Sequence, residues 1–180
     1  MDLPATDDLN ALSEEGFVEA LAPLFEGAPR FVRRLAAVRP FDNDEALLNA
    51  AREVAAVAPE PELLELLNAH PRIGAPPAAM SPLSREEQGD GPDDGEPTSD
   101  PGLDEELVAL NEIYEARFGF RYVIFVAGRP PSAIAPLIEV ALRNDRKAEL
   151  RRGVDDAIYV AGDRLRRLRG ADEPSEEAAE

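Results

Sequence analysis

The sequence Leu66-Leu67-Asn68-Ala69-His70-Pro71-Arg72-Ile73-Gly74 marks the predicted end of a helix and contains the single histidine of this 180-residue chain. Its leucines favour a helix, and Pro71 ends that helix because the residue before a proline is pushed out of helical geometry. An imidazole is the only side chain whose unperturbed pKa lets it change charge between about pH 5 and 8. His70 is therefore the first candidate for proton transfer near neutral pH.

Helical periodicity extends in both directions from this stretch. Towards the N-terminus, capping residues and a proline at a helix start predict helices after Ser13, from Pro29 and after Asn43. Towards the C-terminus, apolar residues at helical spacing predict a long helix over residues 103–117 and two more within residues 132–169. These elements predict an all-α fold, a single-domain bundle of about seven or eight helices.

One segment interrupts the helical pattern. Aromatic and β-branched residues stand between Gly119 and Gly128, and such residues prefer extended backbone. Residues 120–127 are therefore predicted as a single extended segment that crosses the bundle without a partner strand.

The two ends of the chain and one internal stretch differ in composition from the rest. Residues 1–8 are predicted as an N-terminal extension, residues 9–169 as the helical domain, and residues 170–180 as a disordered acidic tail. Within the domain, residues 89–101 are predicted to form a mobile acidic loop because their composition cannot bury enough apolar surface to become ordered. This loop does not fit a calcium-binding EF-hand, since Pro92 and Pro101 occupy the third and twelfth ligand positions.

Composition excludes several classes of function. The formal net charge of −18 argues against nucleic acid or an anionic membrane as a partner, because both are bound by clustered Lys and Arg. The chain has no cysteine and one histidine, which excludes disulfides and metal sites built from Cys or from two His, so no metal is expected. No stretch is apolar enough to span a membrane, and the start of the sequence lacks a signal-peptide pattern, so we expect a cytoplasmic protein.

Ser84 and Glu87 allow two interpretations, and so does His70. The spacing of Ser84 and Glu87 matches a capping box, in which each side chain binds a backbone amide of the first helical turn. His70 fits a helix C-cap whose imidazole binds the last carbonyls of the helix. The alternative is that these three side chains carry out chemistry.

Five motifs follow one another along the chain. They are the opening with Leu24-Phe25-Glu26 and Arg39-Pro40-Phe41, then His70-Pro71-Arg72-Ile73-Gly74, Ser84-Arg85-Glu86-Glu87-Gln88, residues 114–128, and Arg143-Asn144-Asp145 followed by Glu149. In order and spacing they resemble the motifs of the OHCU decarboxylases. These are the 2-oxo-4-hydroxy-4-carboxy-5-ureidoimidazoline decarboxylases, the last enzymes of the route from urate to allantoin.

The resemblance implies an all-helical fold, commonly a homodimer, that acts on a small-molecule substrate, a ureidoimidazoline carboxylate, without metal or organic cofactor. It places the catalytic histidine of the family on His70 and the catalytic glutamate on Glu87. The substrate contacts that it implies are Pro71, Ser84, Gln88, Arg164 and the backbone amides around Tyr122, Val123 and Ile124.

General chemistry gives these residues roles in such a reaction. Decarboxylation leaves an electron pair on carbon that must be delocalised into the ring and then protonated on one face, which requires an acid/base group poised near pH 7. His70 is predicted to move that proton. Glu87 is predicted to hold the imidazolium by a charge-assisted hydrogen bond and to favour conversion of the neighbouring carboxylate to neutral CO2.

The sequence leaves two other functions open. One is a non-catalytic helical interaction module of the same fold, in which His70 and Glu87 only cap helices. The other is an acid/base lyase or hydrolase that acts on a different ureido ring. One departure from the family pattern also stays open: many relatives carry arginine at the position of Ala127, and Arg129 either replaces it or the contact is absent.

Overall fold

The computed structural model describes residues 3–88 and 101–170, and over these ranges the fold is all helical without a β-strand. The predicted fold class is therefore confirmed. A short 3-10 turn at Pro77–Ala79 lies between the fifth and sixth of the helices that the described ranges contain. The helices are α1 (Thr6–Ala11), α2 (Glu14–Leu21), α3 (Pro29–Ala36), α4 (Asp44–Val57), α5 (Glu60–Ala69), α6 (Pro82–Glu87), α7 (Pro101–Phe118), α8 (Pro131–Ala141) and α9 (Arg146–Leu168).

Three predicted helix starts are confirmed, two by capping contacts and one by a proline at the first helical position. The side chain of Ser13 accepts a hydrogen bond from the amide of Gly16 (3.1 Å), and that of Asn43 accepts one from the amide of Ala46 (2.8 Å). Pro29 is the first residue of α3, where its missing N–H would have had no helical partner.

Helix α6 begins earlier than a capping box at Ser84 requires. Its N-cap is Ser81, whose hydroxyl accepts a hydrogen bond from the amide of Ser84 (3.2 Å). Ser84 thus lies inside the helix and Glu87 is its last residue, so the capping-box interpretation is wrong. Both side chains are available for contacts with the rest of the fold.

The longest helix, α9, packs against α4 and α5. A glycine allows the close approach to α5, because a Cβ atom at Gly153 would lie 3.3 Å from the side chain of Leu67. Leu67 is three residues before His70, so this packing fixes the end of α5 relative to α9. The buried face of α9 contains four residues of the stripe that its helical spacing predicts: Val154, Ile158, Ala161 and Leu165. The fifth, Leu168, is partly buried against the core.

The predicted segment is neither helix nor strand over residues 121–126, and a turn at Ala127, with φ = +51°, ends it one residue earlier than predicted. A side chain of α9 binds its backbone where a partner strand would otherwise do so. Arg152 donates from Nη1 to the carbonyl oxygen of Val123 (2.8 Å) and to Oδ2 of Asp156 (2.7 Å). The guanidinium of Arg152 also lies 4.7 Å from the ring centroid of Tyr122. The bond to Val123 satisfies a backbone carbonyl that a single buried strand would leave unpaired.

Residues 3–8, which the sequence predicts as part of an extension, pack against the bundle. Leu3 is buried, Leu9 of α1 is fully buried, and Arg169 donates to the carbonyl oxygens of Leu3 (2.7 Å) and Pro4 (2.6 Å). Helix α1 has six residues, no capping side chain and one buried residue. Such a short element has too little periodicity to be found from the sequence.

Two predicted segments lie almost wholly outside the described residues. Of the acidic loop the structure describes only residue 101, and of the acidic tail only residue 170. Within the described ranges, no helix is both long enough and apolar enough to cross a membrane.

Replacing Leu9 by alanine should lower the free energy of unfolding by about 2 to 5 kcal/mol, because a truncated, fully buried leucine leaves a cavity. Val57→Ala is the control: Val57 is 77% exposed, so its truncation should change stability by less than about 0.5 kcal/mol. Urea unfolding followed by circular dichroism measures both variants. Equal free energies of unfolding for Leu9→Ala and Val57→Ala would contradict the packing of α1 against the bundle.

Candidate active site

The end of α5, the helix α6, the extended segment and α9 enclose a small pocket that is partly open to solvent. Three apolar side chains, Ile73, Val126 and Val160, contribute to its lining. The nine residues that the sequence singles out also line it: His70, Pro71, Ser84, Glu87, Gln88, Tyr122, Val123, Ile124 and Arg164.

The imidazole of His70 is held in one tautomer. His70 is the C-cap of α5, and its Nδ1 lies 2.9 Å from the carbonyl oxygen of Leu66. A carbonyl oxygen only accepts hydrogen bonds, so Nδ1 carries the proton of the neutral ring. The buried Nε2 has no hydrogen-bond partner among the described residues and is the nitrogen left for a ligand. The helix-cap contact therefore orients His70 and leaves its basic nitrogen unoccupied.

Burial lowers the pKa of His70 to about 4, because a charged imidazole is costly where only 5% of the residue is exposed. The hydrogen bond to Leu66 opposes this shift, the positive charges of Arg164 and Arg121 reinforce it, and the negative charge of Glu26 opposes it. The sequence predicts a group poised near pH 7, whereas in the empty pocket the imidazole is neutral at pH 7. It is therefore ready to accept a proton rather than to donate one.

Arg121 fixes the chain around His70. Its guanidinium donates to the carbonyl oxygen of His70 (2.5 Å), and its backbone amide donates to Oδ1 of Asn68 (3.0 Å). The end of α5 and the start of the extended segment are thereby tied together. Sequence reasoning did not single out Arg121, because its partners lie more than fifty residues away along the chain.

Glu87 binds Arg164 rather than His70. Its carboxylate accepts from Nε (2.6 Å) and from Nη2 (2.8 Å) of the guanidinium, a bidentate pair. The predicted hydrogen bond between Glu87 and the imidazole is absent, because the ring is neutral and its only proton is donated to Leu66. Both side chains still line one pocket.

Arg164 is the most enclosed charge of the site. Only 1% of its side chain is exposed, and it also donates to the carbonyl oxygen of Pro23 (2.9 Å) and to Oγ of Ser84 (2.9 Å). Burial by itself lowers the pKa of an arginine, but the bonds and charges of Glu87 and Glu26 outweigh burial and raise the pKa of Arg164. The guanidinium remains a cation inside the fold.

Glu26 is a second carboxylate on the same guanidinium, and sequence reasoning gave it no role. It follows α2 with φ = +50°, and Gly27 after it has φ = +93°. Its Oε1 lies 2.6 Å from Nη2 of Arg164 and accepts hydrogen bonds from the hydroxyls of Ser81 (3.0 Å) and Ser84. Burial raises the pKa of Glu26, but the charge of Arg164 and the bond from Ser84 outweigh burial and lower it. The one local feature of the sequence that marks Glu26 is its position directly before Gly27, a residue typical of turns.

Gln88 and the extended segment complete the polar lining. Oε1 of Gln88 accepts from the amide of Gly74 (3.0 Å), which leaves the NH₂ group as a donor for a ligand. The segment is held from behind by Arg152, which binds the buried Glu149; Tyr114 donates to the same carboxylate (2.6 Å). The sequence motif that ends at Glu149 thus supports the wall of the pocket.

Arg129 does not line the pocket. Its Nη1 donates to the carbonyl oxygen of Phe125 (3.1 Å), and Ala127 between them has φ = +51°. Among the described residues, no group of three or more His, Cys, Asp or Glu side chains is arranged to hold a metal ion.

Comparison with known proteins identifies the family. A family model described as OHCU decarboxylase matches residues 10–166. The chain belongs to the OHCU decarboxylase family. This confirms the resemblance seen in the sequence motifs.

Relatives of this OHCU decarboxylase family member cover most of its length. The 2-oxo-4-hydroxy-4-carboxy-5-ureidoimidazoline decarboxylase of Haloferax volcanii is 31% identical over 157 residues, or 87% of this chain and 91% of that protein. The uric acid degradation bifunctional protein PucL of Bacillus subtilis is 28% identical over 159 residues, or 88% of this chain and 31% of that protein.

A solved structure has the same fold. It is described as a crystal structure of OHCU decarboxylase in the presence of (S)-allantoin. It superposes with a TM-score of 0.67 at 20% identity, over 87% of this chain and 98% of that one.

The protonation state of His70 can be measured directly, because the chain has one histidine and hence one imidazole signal. At pH 7, ¹⁵N NMR should show a neutral ring with its proton on Nδ1, since the pKa is about 4 and Leu66 accepts that proton. In urea the same imidazole should titrate near its ordinary pKa of about 6.5. An imidazolium at pH 7 in the folded protein, or a proton on Nε2, would contradict this geometry.

Proposed function

We propose that this protein decarboxylates 2-oxo-4-hydroxy-4-carboxy-5-ureidoimidazoline to (S)-allantoin in the degradation of urate. The observation that carries the proposal is a buried, neutral imidazole with an unoccupied Nε2 in the pocket that also contains Glu87 and Arg164. A helical interaction module has no need of a desolvated base inside a cavity. Family membership supports the same conclusion.

Substrate binding is assigned to polar groups around the pocket. The NH₂ group of Gln88 and the backbone of Tyr122, Val123 and Ile124 suit the carbonyl oxygens of a ureido ring. Pro71 and the apolar side chains fill the space against the ring face. An anionic substrate also raises the proton affinity of His70, because a nearby negative charge favours the imidazolium.

His70 is assigned the proton transfers. With Nδ1 protonated, Nε2 accepts the proton of the substrate hydroxyl as the bond to the carboxylate breaks and CO2 leaves. The electron pair left behind is delocalised into the ring, the imidazolium then delivers a proton to carbon, and solvent supplies the one further proton that neutralises the charge left by the departed carboxylate. Because His70 is fixed on one side of the pocket, delivery comes from one face and yields one enantiomer.

Glu87 and Arg164 are assigned to act on the negatively charged carboxylate of the substrate. The negative charge of Glu87 beside the substrate carboxylate favours conversion of that carboxylate to neutral CO2. The bidentate bond to Arg164 fixes the position of Glu87 before the substrate enters. Ser84 binds the same guanidinium and belongs to this assembly.

The activity can be tested with substrate made in place, because the compound also decays without an enzyme. Uricase and hydroxyisourate hydrolase generate it, and circular dichroism follows the optically active allantoin, since uncatalysed decay gives the racemate. Wild-type protein should produce a growing signal. His70→Gln and Glu87→Gln should each lose about 10² to 10⁴ in rate, because each removes a group that acts in the transition state.

Glu62→Gln is the control for these variants. Glu62 forms a bidentate pair with Arg34, both contacts 2.7 Å long, outside the pocket, so its activity should equal that of wild type. Wild-type protein that gives no enantiomeric excess would refute the function. A fully active His70→Gln variant would leave the function standing and remove His70 from it.

We also propose that the protein acts in the cytoplasm as a homodimer. Helices α7 and α8 pack together, and each has an apolar residue more than half exposed, Ile113 and Val140. A second copy would bury such residues. Light scattering should therefore give about twice the chain mass of 19.5 kDa, and Val140→Asp should shift the mass towards the monomer. A monomeric wild type would contradict the dimer.

A further inference from the structure

The guanidinium of Arg164 binds two carboxylates, although one would neutralise it. Glu87 takes Nε and one proton of Nη2, while Glu26 lies 2.6 Å from the same Nη2. Glu87 lines the substrate pocket, whereas Glu26 does not. The two acids therefore occupy different sides of one buried cation.

If a single carboxylate neutralised Arg164, that carboxylate could not move during the reaction. Removing the partner of a buried charge is strongly unfavourable, because the remaining ion has no water to solvate it. Suppose that Glu87 were the only acidic partner of Arg164. If Glu87 then turned towards substrate or imidazolium, it would leave an unpaired charge on a side chain that is only 1% exposed. A second carboxylate on Arg164 removes that cost.

Glu26 is held so that it does not move with Glu87. The hydroxyls of Ser81, the N-cap of α6, and of Ser84 in that helix both donate to its Oε1. Its charge also acts on His70, where it opposes the lowering of the pKa by burial. Glu26 is thus coupled both to the cation and to the base without lining the pocket.

We propose that Glu26 is the permanent counterion of Arg164, a positioning residue that allows Glu87 to leave the guanidinium and turn to the reacting substrate. This inference rests on the proposed decarboxylase function. It assigns Glu26 an effect on turnover rather than on substrate affinity, because Glu26 lies outside the substrate pocket.

Two substitutions separate the charge of Glu26 from its shape. Glu26→Gln keeps the size and one hydrogen-bond acceptor but removes the charge, whereas Glu26→Asp keeps the charge on a shorter side chain. We expect Glu26→Gln to lower kcat by about 10- to 100-fold, with KM within about threefold of wild type. Glu26→Asp should retain more activity than Glu26→Gln. Glu62→Gln, which removes a carboxylate from a surface arginine, should leave both constants unchanged.

The order of the two variants distinguishes positioning from a structural role. A residue that only fills space and bonds to α6 would tolerate Gln better than Asp, because Gln preserves its shape. A folded Glu26→Gln with wild-type kcat, or one more active than Glu26→Asp, would overturn the proposal. If Glu26→Gln does not fold, a folded Glu26→Asp with kcat within about tenfold of wild type supports the proposal, and a larger loss overturns it.

The failure of this inference is distinguishable from failure of the function. If wild-type protein and Glu62→Gln both produce (S)-allantoin, the proposed function stands whatever the Glu26 variants do. If neither produces it, the decarboxylase function falls, and the role of Glu26 falls with it.

Discussion

The buried guanidinium of Arg164 is the contact on which the pocket depends. It brings together segments that are distant in the chain, and α6 needs it most, since that helix has six residues and one buried side chain, Ser84. Removing one partner of such a buried ion pair typically costs about 3 to 5 kcal/mol. The parts that meet at this group are α9, which carries it, the turn after α2 with Pro23 and Glu26, and α6 with Ser84 and Glu87.

The same arrangement sets the chemistry of His70. Burial and the neighbouring cation keep the ring neutral, and the carbonyl of Leu66 takes its Nδ1 proton, so Nε2 is the base. The two interpretations of His70, helix cap and acid/base group, are therefore compatible. One nitrogen satisfies the end of α5, and that bond orients the other nitrogen for a ligand.

The sequence predicted the local features of the site well and its long-range contacts poorly. The end of α5 at His70, the extended segment and the buried stripe of α9 follow from proline geometry and periodicity. The ion pair between Glu87 and Arg164 joins residues that are 77 positions apart in the chain. The sequence around neither residue indicates this contact. For the same reason the sequence did not reveal Glu26 and Arg121. Of its two interpretations of Ser84, the capping box fails because Ser81, three residues earlier, takes the cap position.

The most direct test of this account is a crystal structure of the protein with (S)-allantoin bound. The account predicts that the ligand lies in the pocket between α6, α9 and the extended segment. Nε2 of His70 should then lie within hydrogen-bond reach of it, about 2.6 to 3.2 Å. A ligand bound elsewhere, or one in this pocket with Nε2 still without a contact, would contradict the assignment of His70 as the group that moves the proton.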